Sequence, residues 1–149
     1  MHDVSPYVLD ASVAVKWHLH DEGFVAEARR LLVDLREGRI QIIAPDHVRY
    51  EVSSAIRNAV RMGRILPEAG ATAIDQFLSW NVPTVAASDL IRAGYGLALR
   101  FGCSLYDGLY LALAEATGFP LVYADHRLRN ALGSRFPLAL WIEDYPGQA

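Results

Sequence analysis

The stretch Tyr7-Val8-Leu9-Asp10-Ala11-Ser12 decides how this chain is read. Three consecutive apolar residues stop at an acid, and residues 13–17 then take on a helical pattern. An apolar run without polar alternation suits a strand covered on both faces, as in a parallel sheet. The same plan appears at Leu121-Val122-Tyr123-Ala124-Asp125, which leads into a helix-like segment at 127–132. Two more acids lie inside largely apolar helical stretches: Glu51 in Tyr50-Glu51-Val52-Ser53-Ser54-Ala55 and Asp107 in Ser104-Leu105-Tyr106-Asp107-Gly108-Leu109. An ionised carboxylate near a core is costly unless a cation compensates it, and a divalent metal would serve all four.

Working outward, the pattern predicts strands over 7–9, 41–44, 121–123 and 138–141, with a weaker one over 82–85. Helices are predicted over 13–17, 23–36, 47–62, 67–79, 88–101, 105–116 and 127–132. Short apolar runs that alternate with helical patterns mark strand-helix-strand units and a mostly parallel sheet. Pro67 suits a first helical turn, glycines at 38, 63, 102 and 118 follow helical patterns, and Asp46, Ser88 and Ser104 are the expected N-caps. Ligands of open parallel sheets gather at the carboxyl ends of the strands. Asp10 and Asp125 both fall there.

With 149 residues, 52% of them hydrophobic and 21% charged, the chain has the size and core-forming capacity of one globular domain, expected to span residues 1–149. Prolines and glycines are scattered, so no linker, repeat or low-complexity tail is expected. Met1-His2-Asp3-Val4-Ser5-Pro6 lacks a basic region followed by an apolar one, and no apolar run approaches the roughly 20 residues of a membrane span. The expectation is a cytoplasmic protein with no membrane association. Cys103 is the only cysteine, which excludes an intrachain disulfide and leaves a small core residue as its expected role. A net charge of -3 argues against nucleic-acid binding by bulk positive charge, although a local basic patch stays open. Lys16 is the only lysine among 14 basic residues, so the rest are arginines, whose planar fork suits phosphate and carboxylate.

Each acid also has a plainer explanation. Asp10 and Asp125 both stand where a helix-starting aspartate would. Ser104-Leu105-Tyr106-Asp107 fits a capping box with Asp in place of Glu or Gln. Yet the helix that follows, with Leu109, Tyr110, Leu111 and Leu113 among alanines, is apolar almost all round, so its acid projects toward whatever the helix packs on. Glu51 flanks the stripe Val48, Val52, Ala55, Ile56 and Ala59, where it could simply pair with Arg49 or Arg57. Arg57, Arg61 and Arg64 recur at three- and four-residue steps, as a solvated helix face does and as an RNA-facing strip would. Arg127 and Arg129, beside Asp125, are better placed for phosphate, while His126 reads as a surface histidine. Trp17, Leu19, Phe24 and Trp80 read as core.

Together, Val8-Leu9-Asp10-Ala11-Ser12, Tyr50-Glu51-Val52-Ser53-Ser54-Ala55, Ser104-Leu105-Tyr106-Asp107 and Val122-Tyr123-Ala124-Asp125-His126-Arg127-Leu128 resemble the motif blocks of the PIN-domain nucleases, in order and approximate spacing. The likeness is nearest to the VapC-type toxins of toxin-antitoxin pairs and runs from the first strand to the last. It implies a PIN-like three-layer α/β/α fold around a mostly parallel sheet of four to five strands. Asp10, Glu51, Asp107 and Asp125 match the family's acidic metal positions, and Ser12 matches a small hydroxyl residue that supports the site. Two positions depart from the pattern: Tyr123 stands where Thr is usual, and Gly108 follows Asp107 where Ala is commoner. The first bears on a hydroxyl contact rather than on a metal ligand.

Four converging carboxylates would raise one another's pKa values unless cations were bound, and oxygen donors without His or Cys select Mg²⁺ or Mn²⁺. Asp10 and Asp107 are expected as direct ligands, then Asp125, with Glu51 outermost. The metal would lower the pKa of a bound water and stabilise charge on a phosphodiester. The activity implied is an endoribonuclease cutting single-stranded or looped RNA, with an antitoxin partner and a homodimeric assembly. A catalytically silent PIN-type binding module and a structure-specific DNA nuclease of the same fold remain as alternatives. A phosphorylation receiver domain, which also clusters aspartates around Mg²⁺, needs a late lysine that this chain lacks.

Overall fold

The computed structural model describes residues 3–147, so Met1 and His2 of the N-terminal stretch read above, with Gln148 and Ala149, lie outside the described residues. Strands β1 (Ser5–Leu9), β2 (Ile40–Pro45), β3 (Thr84–Val85), β4 (Leu121–Tyr123) and β5 (Ala139–Trp141) form one sheet in the order β3-β2-β1-β4-β5. Every pairing is parallel, with Val8 opposite Ile43 on one side and opposite Leu121 on the other. A strand with neighbours on both edges and helices on both faces has no wet side. Val8, Leu9, Leu121 and Val122 are accordingly fully buried, which is why the sequence shows apolar runs instead of alternation.

The helices are α1 (Ala11–Ala14), α2 (Val25–Arg36), α3 (Val48–Arg61), α4 (Pro67–Ser79), α5 (Ile91–Phe101), α6 (Leu105–Thr117) and α7 (His126–Leu132), which with the sheet make a three-layer α/β/α architecture. The expected helix over 13–17 starts earlier, at Ala11, and tightens into a 3-10 turn at Val15–Trp17. The start of the expected 88–101 helix is likewise a separate 3-10 turn, Ala87–Leu90. Two expected caps fall elsewhere. The Asp46 carboxylate accepts the N–H of Ala87 at 2.9 Å and so ties β2 to the segment after β3, while α3 starts at Val48 with His47 at its N-cap position and no side-chain cap. Ser88 lies inside its 3-10 turn and caps nothing. Cys103 is half-buried and belongs to the rim of the core. Trp17 and Leu19 are buried, and Phe24 and Trp80 pack on the core from its edge.

Helix α6 is buried from Gly108 to Ala114 and packs on β1, β2 and β4 on one side and α5 on the other. The two helices approach at paired glycines: a Cβ on Gly108 would lie 2.3 Å from the Gly94 carbonyl oxygen. That distance accounts for glycine where the family pattern has alanine. Because Gly108 follows Asp107 directly, the same close approach seats the first turn of α6 against α5. The chain order reverses at β1: β2 and β3 lie to one side of it, β4 and β5 to the other. The carboxyl ends of β1 and β4 therefore flank a topological switch point, where such sheets open a crevice.

Candidate functional site

Asp10 stands at the end of β1, its backbone N–H donating to the Val122 carbonyl of β4 at 3.1 Å. It is indeed the N-cap of α1, accepting the Ser12 N–H at 3.0 Å and the Ser12 hydroxyl. It is also only 5% exposed, far below an ordinary capping aspartate. Ser12 Oγ in turn accepts the Ala124 N–H at 2.9 Å, so one hydroxyl joins the loop after β1 to the loop after β4. Burial pushes the Asp10 carboxyl up to about 7; the Ser12 hydrogen bonds act against this, and the charges of Asp107 and Glu51 add to it.

Asp107 lies half-buried in the first turn of α6, where its N–H donates to the capping Ser104 hydroxyl at 3.0 Å. Its carboxyl is raised by burial and by the charges of Asp125 and Glu51, while the Ser104 hydrogen bonds lower it. Asp107 is thus the acid whose field links the other three. Asp125 caps α7, its carboxylate accepting the Arg127 N–H at 2.9 Å. Glu51 does not take an arginine partner. Its Oε1 accepts the Tyr110 hydroxyl at 2.9 Å and has the His47 Nε2 at 2.9 Å, one turn back on α3, whereas Arg49 reaches away to Thr84 and the Val82 carbonyl.

The four acids come from four separate segments, and their charges act on one another through Asp10 and Asp107. Among the described residues, however, no group of three or more Asp, Glu, His or Cys side chains is arranged to hold a metal ion. A hydrated hard cation fits this donor set better than a dehydrated one. Mg²⁺ keeps several waters and needs only one or two direct carboxylates. All the acids offer oxygen, and the charges acting on the buried Asp10 are those of further carboxylates, which a bound cation would offset.

Two residues at the site escaped the sequence reading. Tyr110, 1% exposed on an apolar helix, carries a hydroxyl held well above its usual range by burial, by the Asp10 and Glu51 charges and by donation to Glu51. His47, 6% exposed, was treated as a helix boundary. The i,i+4 spacing of His47 and Glu51 and the i,i+3 spacing of Asp107 and Tyr110 were the available signals. The arginine strip does not form as a unit. Arg57 and Arg61 are exposed, but Arg64 is held by Asp21 at 2.6 and 2.8 Å and by Glu22 at 2.7 Å. Arg127 is exposed, and the Arg129 guanidinium lies 4.4 Å over the Trp141 ring, beside Tyr123. Tyr123 packs edge-on against Trp141 at 5.3 Å and is 3% exposed, leaving the hydroxyl contact to the Asp125 loop to Ser12. His126 is exposed, as expected.

A five-strand parallel sheet with acids at the strand ends flanking its switch point defines a class of domain. Residues 7–132 match the family model of the PIN domain, and the chain belongs to that family. Within it the likeness is to the VapC type. Ribonuclease VapC12 of Mycobacterium tuberculosis is 35% identical over 133 residues, covering 89% of this chain and 97% of that protein. Two crystal structures share the fold. VapC20 of Mycobacterium tuberculosis, a sarcin-ricin loop cleaving toxin, superposes with a TM-score of 0.64 at 18% identity, over 84% of this chain and 94% of its own. PAE2754 from Pyrobaculum aerophilum gives 0.62 at 22% identity, over 95% and 93%.

Proposed function

We propose that this chain, acting as a single domain over residues 1–149, is a divalent-metal-dependent endoribonuclease and the toxin of a toxin-antitoxin pair. The observation that carries the reading is Asp10: a buried carboxyl at the switch point whose pKa the charges of Asp107 and Glu51 help to raise. Its relatives named as ribonucleases supply the reaction class. Asp10 and Asp107 would hold Mg²⁺ or Mn²⁺ directly, Asp125 next, and Glu51 through water. When bound, such an ion lowers the pKa of water and stabilises charge on phosphoryl oxygens during in-line attack.

The chain's own residues do the rest. Ser12 fixes the Asp10 carboxylate to the loop after β4, one residue before Asp125. Tyr110 orients Glu51 from below. Arg127 and Arg129, on α7 beside Asp125, are the groups to meet the RNA phosphates. Among the described residues no helix is long and apolar enough to cross a membrane. The expected place of action is the cytoplasm, where the RNA substrate is. An antitoxin covering the acidic crevice is the expected partner. A homodimer is the expected assembly, and Ile91, Tyr95 and Leu99, exposed at four-residue steps on α5, offer apolar surface for it.

The test is cleavage of a single-stranded RNA and of a DNA of the same sequence in Mn²⁺ or Mg²⁺, with chelator as control. Metal-dependent RNA cleavage that is lost in Asp107→Asn is expected. An Asp107→Asn protein with full metal-dependent cleavage, or calorimetry without Mn²⁺ binding to the parent, would overturn the assignment.

A further inference from the structure

Each of the two acids carried within helices is preceded by an exposed aromatic: Tyr50 before Glu51, 76% exposed, and Tyr106 before Asp107, 59% exposed. Adjacent helical residues point about 100° apart, so turning the acid inward swings the tyrosine to the rim. The two rims meet. Tyr50, Tyr106, Glu51 and Ser54 line one open pocket whose remaining wall is the His47 imidazole. Tyr106 stands 5.8 Å from that imidazole, tilted by 33°, and Tyr110 backs it at 4.7 Å.

His47 is unusual in this pocket. It is more than nine-tenths buried, and neither ring nitrogen makes a hydrogen bond, although Nε2 comes within 2.9 Å of Glu51 without the alignment one needs. A buried polar group that makes no hydrogen bond is costly, and a hydrogen-bonding ligand at its edge would offset that cost. Large solvent-exposed rings around such a group describe a surface for something flat, apolar on its faces and polar on its edges. A nucleobase has that character, and stacking of unpaired bases on aromatic side chains is how single-stranded RNA is commonly held.

We propose that this pocket takes one unpaired base of the RNA, next to the phosphodiester to be cut. The base stacks on Tyr106, with Tyr50 closing over it, and its edge meets a ring nitrogen of His47. The inference rests on the ribonuclease reading and adds the substrate requirement to it: a base that can be splayed out beside the scissile phosphate, as in a loop or single strand. Tyr50, Tyr106 and His47 thereby become specificity residues, distinct from the acids.

Two measurements test it, one of them independent of cleavage. Binding of a fluorescent single-stranded RNA is followed by anisotropy in Ca²⁺, and cleavage in Mn²⁺ is followed on the same RNA carrying one abasic position moved along it. Tyr106→Ala is expected to weaken binding, and to raise KM more than it lowers kcat, by about tenfold, with Tyr106→Phe restoring both. One abasic position should slow the parent protein by a similar factor and leave Tyr106→Ala unaffected. The ring is exposed, so these variants should fold, which circular dichroism checks. If the parent binds with this ring dependence but cuts nothing, the base pocket stands and the nuclease reading fails. If the parent cuts RNA while Tyr50→Ala and Tyr106→Ala bind and cut as it does, the pocket is refuted alone. Loss of a co-expressed protein partner with RNA binding unchanged would also refute it, by making the rings a protein contact.

Discussion

Replacing Gly108 by alanine places two effects of opposite sign on one methyl group. In a helix interior alanine is favoured over glycine by about 1 kcal/mol, because glycine loses more backbone freedom on folding. At Gly108, however, the new Cβ would meet the Gly94 carbonyl oxygen at 2.3 Å and the Gly94 carbonyl carbon at 3.0 Å. Both atoms are backbone of α5 and cannot rotate away. Ordinary carbon–oxygen contacts lie near 3.3 Å, so α5 and α6 must separate by about 1 Å. Forcing a well-packed interface open costs on the order of 1–3 kcal/mol, and here more of that range applies because no side chain can yield. Gly108→Ala is therefore expected to lose about 1–2 kcal/mol net, or roughly 2–8 °C in Tm. Gly96, on α5 with nothing within 4 Å of its Cβ position, is the matched control: Gly96→Ala should gain about 0.5–1 kcal/mol. Denaturant melts of both variants decide the point. A Gly108→Ala protein as stable as its parent, or more so, would refute the claim that the α5–α6 crossing depends on paired glycines. Because Asp107 immediately precedes Gly108, the same displacement should lower cleavage by up to about a hundredfold, the scale of a 1 Å misplacement at a reacting centre.

Asp10 makes stability depend on pH in a direction opposite to that of a salt-bridged aspartate. Its folded pKa lies above its unfolded one, so stability is complete below about pH 4 and falls as pH rises through about 7, by on the order of 4 kcal/mol in metal-free protein. Mn²⁺ at pH 8 should restore much of this and Asp10→Asn should flatten the profile; a melting temperature indifferent to both would contradict the buried-carboxylate argument. Tyr110→Phe removes the hydroxyl that donates to Glu51, and denaturant melts should register a loss of about 1–2 kcal/mol; no change would mean that the hydrogen bond contributes nothing net. Arg64 is already taken by Asp21 and Glu22 at the surface, so Arg64→Ala should change stability by less than about 1 kcal/mol and leave RNA binding unaltered, whereas Arg129→Ala should weaken RNA binding as seen in its salt dependence.

The strands and most helices were legible from local pattern because burial on both sides of a parallel sheet writes itself into the sequence as unbroken apolar runs. The start of α4 and both ends of α6 are signalled by Pro67, Ser104 and Gly118, residues whose effect on the backbone is local. Where a feature involved two distant segments, pattern failed. Asp46 has the chemistry of a helix cap, but its acceptor oxygen serves Ala87, which only sheet pairing between β2 and β3 brings near.

At the site the division is the same. The residue types at positions 10, 51, 107 and 125 and their places at strand ends or in first helical turns follow from sequence, since a charge that ends an apolar run is a local anomaly. What only the tertiary structure decided is the environment of each: that Asp10 is buried among other carboxylates, that Glu51 is held by Tyr110 from 59 residues away, that His47 faces a pocket rimmed by two tyrosines, and that Arg64 is neutralised by a distant loop. Side-chain chemistry is a property of the residue, but desolvation, field and hydrogen-bond partners depend on which segments the fold packs together, and nothing in a single stretch of chain encodes those neighbours.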